Sequence, residues 1–351
     1  MADCMQEWPE PIVRVQALAE SGLSAIPRCY IKPPCDRPVA PPAAAAQEEK
    51  KELSDVSIPV IDLGELLADR GAVGLGDVTE AVAAACREWG FFQVVNHGVR
   101  PELMRAAREA WRGFFRRPLA EKQSYANSPR TYEGYGSRLG VQKGAVLDWG
   151  DYFFLHLTPE AAKSPAKFWP ANPGNCKYEA HLQRAFGGAA CGATLRANYY
   201  PRCPQPDLTL GLSAHSDPGV LTVLLADEHV RGLQVRSGAG EWVTLQPVRD
   251  AFIVNVGDQV QILSNSQYKS VEHRVIVNAK EERISLALFY NPKGDIPISP
   301  APELVMATAA DDRLALYPPM TFDEYRLYIR KKGAKGKAQI EALKGQASPE
   351  N

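Results

Sequence analysis

His215-Ser216-Asp217 and His273 are the residues whose types best suit chemistry in this chain. Two imidazoles and one carboxylate can take one face of an octahedral metal and leave three positions open, the donor set of non-haem Fe(II) sites that activate O2. Ten residues beyond His273 stands Arg283-Ile284-Ser285. Its cation and hydroxyl can hold the far carboxylate of a diacid. His-x-Asp alone is a weak pattern, because chance supplies it often and a lone His is usually a surface or satisfied core residue. The setting strengthens it. Val220-Leu221-Thr222-Val223-Leu224-Leu225 follows the first pair, His273 lies in the β-like run Tyr268–Val277, and Arg283 opens the run to Tyr290. Residues i and i+2 of a strand share a face, so His215 can converge with Asp217, and Arg283 with Ser285. Unpaired polar groups are costly inside apolar strands, which favours a site over a purely structural role.

These residues need a rigid β frame. From about Leu195 to Pro292, strand-like runs alternate with turns: Leu210–Leu212, Val220–Leu225, Leu233–Val235, Trp242–Leu245, Ala251–Val256, Gln259–Leu263, Lys269–Val277 and Ile284–Tyr290. About eight short strands in one stretch predict a double-sheet jelly roll. The expected class is α+β with a mainly β core and surrounding helices. Helices are predicted over Gly76–Trp89, Pro101–Phe115 and Thr321–Lys332, the last with Thr321 as N-cap and Glu324 at its third position. Residues 1–30 read as a helical entry segment with Val13, Val15, Leu18 and Leu23 on an apolar face, and residues 31–57 as a Pro- and Ala-rich linker. The expected divisions are 1–57 (arm and linker), 58–188 (helices packed on the core), 189–293 (jelly-roll core) and 294–351 (C-terminal helix and basic tail). His97, in a turn before Gly98, reads as structural.

Lysine and arginine total 40 against 41 aspartates and glutamates, so charge offers nothing for nucleic acid. No apolar run approaches a membrane span, and Met1-Ala2-Asp3-Cys4 opens no secretory signal. Seven cysteines without zinc spacing read as reduced thiols of the cytosol or nucleus, with Cys203 packed rather than reactive. A small-molecule carboxylate is the expected partner, with no nucleic acid and no membrane.

Asn198-Tyr199-Tyr200-Pro201-Arg202-Cys203-Pro204, Ile58-Pro59-Val60-Ile61-Asp62-Leu63 and Trp89-Gly90-Phe91-Phe92-Gln93-Val94-Val95-Asn96-His97-Gly98-Val99 complete a set of motifs. With the His and Arg motifs, they resemble the plant 2-oxoglutarate/Fe(II)-dependent dioxygenases from about Ile58 to Lys337. The resemblance implies a double-stranded β-helix with Fe(II) on His215, Asp217 and His273. It implies 2-oxoglutarate chelated to the iron, its far carboxylate on Arg283 and Ser285, with Asn198 and Tyr200 also bonding it. O2 is the second cosubstrate, ascorbate is supportive, and succinate and CO2 are released. The purely structural reading of Tyr200 is a core aromatic before a proline turn.

Glu133-Gly134-Tyr135-Gly136, the run Leu147–His156 and the run Tyr317–Arg326 are most similar to the jasmonate-induced oxygenases. That likeness implies hydroxylation of jasmonic acid at its 12-carbon. The substrate would be a small carboxylate with a cyclopentanone and an apolar tail. Arg196, with the strand parity of Asn198 and Tyr200, and Arg326 would clamp the carboxylate, and Phe154 and Phe289 would form the apolar wall. Against this, Arg326 reads as a surface helix residue and Arg196 as the partner of a structural acid. A hydroxylase or desaturase of a flavonoid, gibberellin or auxin is the alternative within the class. A short isoform of weak activity is the alternative outside it. A zinc hydrolase has no use for Arg-x-Ser or Asn-Tyr-Tyr-Pro. The short-isoform reading has a motive: after Phe168-Trp169-Pro170 the family pattern runs through a long helix, but here Cys176-Lys177-Tyr178-Glu179-Ala180-His181 leads almost at once to Phe186-Gly187-Gly188. Roughly 25–30 residues are missing near 177–181, about 40 Å of helix.

Overall fold

The computed structural model describes residues 7–38, 58–67, 72–158, 192–305, 314–332 and 336–344. Its frame is an eight-stranded sheet in the order β1 (Val60–Asp62), β2 (Phe91–Val95), β10 (Phe252–Val256), β7 (Leu221–Leu225), β12 (Arg283–Asn291), β5 (Gly192–Tyr200), β4 (Asp151–Thr158) and β3 (Gly134–Gly136). The β1–β2 pair is parallel and the other pairs of this sheet are antiparallel. A second sheet has the order β6 (Leu212–His215), β11 (His273–Val275), β8 (Leu233–Arg236) and β9 (Trp242–Thr244). Leu212, Leu233, Val235 and Val275 of the small sheet share a buried cluster with Tyr200 and Ile253 of the large one, so the two sheets enclose a core. This is the expected jelly roll.

Strand alternation sorts the large sheet into two faces. Leu155, Ala197, Tyr199, Ile284, Leu286 and Leu288 pack outward against Met104, Trp111, Phe114 and Phe115 of the helix Pro101–Phe115. That helix starts with Pro at its first position and Glu102 in its first turn, both suited to a helix N-terminus. Phe114 meets Phe153 edge-on at 4.9 Å. The intervening residues of β5 and β12 point the other way, between the sheets. Both faces are covered, which is why β12 reads as an almost unbroken apolar run in which Arg283 and Ser285 stand out.

Several elements differ from expectation. The run at Gln259–Leu263 is a helix, Asp258–Leu263, not a strand. Five residues fit either period, and Gly257 decides: its N–H bonds Val220 O, and a Cβ there would sit 2.2 Å from Gly219 O. The run at Leu210 becomes a strand only from Leu212, and the one around His273 keeps only three paired residues. Among the described residues of 1–30, only Val15–Glu20 is α-helical, and Val13 and Leu23 are exposed. Its start is set by tertiary contact, since the Asp151 carboxylate accepts from the N–H groups of Val15 and Gln16, both at 3.0 Å. Strand β4, which supplies that carboxylate, was not expected. At the other end Thr321 and Glu324 form the expected reciprocal cap of the helix Phe322–Lys332, with Thr321 N–H to Glu324 Oε2 at 2.9 Å and Glu324 N–H to Thr321 Oγ1 at 3.3 Å. The shortened stretch at 177–181 lies outside the described residues. Among those described, no helix is long and apolar enough to cross a membrane.

Candidate active site

His215 closes β6 and His273 opens β11, and the two are direct cross-strand partners. Their ring centroids lie 4.3 Å apart. Asp217 lies two residues past the end of β6, not within a strand as the i, i+2 argument assumed. The turn still returns its carboxylate to the same point. Oδ1 is 3.6 Å from Nε2 of each histidine, and one donor atom from each of the three residues lies within 4.8 Å of the others.

The surroundings aim these atoms. His215 Nδ1 is 2.8 Å from Ser213 O, and His273 Nδ1 is 3.2 Å from Val271 O. A carbonyl only accepts, so Nδ1 carries the proton and each Nε2 lone pair faces the shared point. Asp217 Oδ2 accepts from Thr222 Oγ1 at 2.5 Å and Asn255 Nδ2 at 2.8 Å, leaving Oδ1 for a cation. Burial, and then neighbouring His273, push His215 down to about 4, so its imidazole is uncharged at neutral pH. Burial works against the Asp217 charge, but His273, His215 and the bonds from Asn255 and Thr222 outweigh it and hold the carboxyl below its ordinary range. Once His215 is neutral, Asn255 and Thr222 carry much of that support. The sequence reading missed both. Their signal was one polar residue inside each of the apolar runs Val220–Leu225 and Phe252–Val256.

The β5–β12 pair brings together a second group of polar residues. Its register places Arg283 opposite Tyr200, Ser285 opposite Asn198, and Ala287 opposite Arg196. Arg283 is 4% exposed, its guanidinium is 5.4 Å from the Tyr200 ring centroid, and its Nε and Nη1 have no hydrogen-bond partner. Asn198 Nδ2 donates to Ser285 Oγ at 3.4 Å while its Oδ1 is also without a partner. A buried guanidinium with empty donors is expensive until an anion reaches it. A planar fork of this kind fits a ligand carboxylate. Tyr200 is also a core aromatic, as its purely structural reading expects.

A cavity of about 240 Å³, partly open to solvent, adjoins the triad and includes His215 and Asp217 in its wall. Phe154, Arg196, Phe289 and Arg326 line it as well. Arg196 stacks on the Tyr152 ring at 4.3 Å, and among the described residues no carboxylate pairs with it. Arg326 comes from the C-terminal helix, half-buried, rather than from an open surface. His97 lies apart, 3.0 Å from Asp250 O and against Phe252. Cys203 is fully buried.

This chemistry has close counterparts. Residues 191–292 match the 2OG-Fe(II) oxygenase superfamily, and residues 58–172 match the N-terminal region described as non-haem dioxygenase in morphine synthesis. Jasmonate-induced oxygenase 1 of Arabidopsis thaliana is 54% identical over 364 residues, spanning 96% of this chain and 87% of its own length. That alignment is longer than the whole 351-residue chain, so the relative carries residues that this one lacks. Flavanone 3-dioxygenase 2 of Oryza sativa subsp. japonica is 37% identical over 88% of this chain and 92% of its own. Among solved structures, that of JOX2 in complex with 2OG, Fe and JA superposes with a TM-score of 0.82 at 53% identity, covering 98% of this chain and all of the other. The chain therefore belongs to the 2OG-Fe(II) oxygenase superfamily, as a 2-oxoglutarate-dependent dioxygenase of the group that includes the jasmonate-induced oxygenases.

Proposed function

We propose that this enzyme hydroxylates jasmonic acid at its 12-carbon, converting O2 and 2-oxoglutarate to the new hydroxyl, succinate and CO2. The observation that carries the reading is the cavity beside the triad, in which two arginines and two phenylalanines face one space. A small acid with an apolar tail needs a cation at one end and an apolar wall at the other. The relative solved with 2OG, Fe and JA supports the same substrate.

In this reading His215, Asp217 and His273 hold Fe(II), which supplies the O2 activation coupled to cosubstrate decarboxylation. Arg283 takes the far carboxylate of 2-oxoglutarate, with Ser285, Asn198 and Tyr200 fixing its orientation. Arg196 and Arg326 hold the substrate carboxylate. Phe154 and Phe289 lay the tail against the triad and keep water from the reacting carbon. Orientation of that carbon is the protein's main contribution to selectivity. Free Cys29, Cys35, Cys86 and Cys203 support a reducing compartment, the cytosol or nucleus.

The test is anaerobic titration with Fe(II) and 2-oxoglutarate, followed through the metal-to-ligand charge-transfer band. Air and jasmonic acid are then added, and products are identified by mass. A charge-transfer band and a 12-hydroxylated product are expected. A band with no oxygenated jasmonate, alongside turnover of another plant acid, would overturn the substrate assignment.

A further inference from the structure

Gln339 lies on the short helix Ala338–Glu341 and is 3% exposed, yet it belongs to the wall of the cavity that holds Arg196, Arg326 and His215. Its Oε1 has no hydrogen-bond partner. A buried polar atom left unpaired is costly, and such an atom needs an explanation such as a ligand.

The amide is not carried on a loose tail. Gly336 N–H donates to Ala214 O at 2.9 Å, and Gly336 bridges to His215 itself. Lys337 Nζ donates to Gln261 Oε1 at 3.2 Å. Ile340 is fully buried in a cluster with Ile262, Tyr317 and Tyr325. The segment is thus pinned to β6 next to a triad residue, and Gln339 projects from it at a fixed place.

The cationic groups of this wall, Arg196 and Arg326, suit a carboxylate. The proposed substrate has a second polar group, the oxygen on its five-membered ring. Buried in an apolar pocket without a partner, that oxygen would cost binding energy. A primary amide offers both an acceptor and donors, and the two exchange places by a half-turn of the group. It can therefore donate to a ring ketone or accept from a ring hydroxyl.

We propose that Gln339 is a specificity-determining residue whose amide, turned so that Nε2 takes the place of the unpaired Oε1, donates to the ring ketone of the substrate. The proposal rests on the jasmonate reading above. It names a residue for the end of the molecule that neither arginine addresses.

The test compares Gln339→Leu with wild type on jasmonic acid and on an analogue whose ring ketone is replaced by a methylene. On jasmonic acid the variant should lose about tenfold in kcat/KM, mostly through KM. On the methylene analogue the two enzymes should agree within about twofold. The KM for 2-oxoglutarate should not move. Equal losses on both substrates would show a structural role and overturn the proposal. So would no loss on either, or a shift confined to 2-oxoglutarate. If Gln339→Leu does not fold, Gln339→Met, of similar length and without the amide, is measured the same way. Failure of the wild type to hydroxylate jasmonic acid would instead remove the substrate reading, and this proposal with it.

Discussion

Asn255→Leu should loosen the proposed iron site without touching any of its three proposed ligands. Asn255 on β10 and Thr222 on β7 are cross-strand partners, and both donate to Asp217 Oδ2. They fix the carboxylate so that Oδ1 turns toward the two Nε2 atoms. Leucine has nearly the shape of asparagine, so the change removes a donor more than it alters packing. A hydrogen bond to a charged group contributes about 1.5–3 kcal/mol, and loss of a residue that orients a metal ligand typically costs 10–100-fold in metal affinity. Thr222 retains the shorter bond, so Asn255→Leu should sit near the lower end, about tenfold, and Asn255→Leu with Thr222→Val near about 100-fold. Anaerobic Fe(II) titration at saturating 2-oxoglutarate gives the dissociation constant directly. At saturating iron the affinity for 2-oxoglutarate should hardly change, since neither residue reaches Arg283. Should the double variant bind Fe(II) within twofold of wild type, the orientation argument is wrong.

Three further outcomes are expected. Arg283→Gln should raise the KM for 2-oxoglutarate roughly 30-fold or more by removing charged hydrogen bonds, yet leave the ligand-free protein as heat-stable as wild type or more so, because a buried charge with two unsatisfied donors is gone; steady-state kinetics and melting curves check both, and an unchanged KM would remove Arg283 from the proposed cosubstrate site. Arg196→Ala should lower jasmonic acid turnover about tenfold or more while uncoupled 2-oxoglutarate decarboxylation continues, and wild type should turn over the methyl ester poorly; equal rates on acid and ester would exclude a carboxylate clamp. Burial raises the Asp258 carboxyl to about 6, against the hydrogen bond it accepts from Tyr325, so the native state binds its extra proton below that pH, and the resulting stabilisation is whole below about pH 4 and lost as pH rises through about 6. His215, pushed down, acts with the opposite sign over much of the same range, so the informative quantity is the difference between wild type and Asp258→Asn without metal, which should fall by at most about 3 kcal/mol from pH 4 to 7; denaturant titrations that show a pH-independent difference would refute it.

The sequence by itself determined the chemistry. His215, Asp217, His273, Arg283 and Ser285 are polar residues in or beside apolar runs, and the expense of burying such groups marks them as candidates for Fe(II) and 2-oxoglutarate without coordinates. It also determined the helix Pro101–Phe115 and the cap at Thr321, because both are written in local spacing. What only the tertiary structure decided depends on contacts between distant segments. Gln259–Leu263 fits two periods, and its packing after Gly257 selects the helix. The N-terminal helix begins at Val15 because Asp151, far along the chain, accepts its first N–H groups. Thr222 and Asn255 are ordinary strand residues until antiparallel pairing sets them side by side under Asp217. Gln339 shows no local pattern at all, and its place in the cavity follows from Gly336 docking on β6. Local spacing encodes which groups must be satisfied, whereas register and docking, which join residues far apart in sequence, decide which group satisfies which.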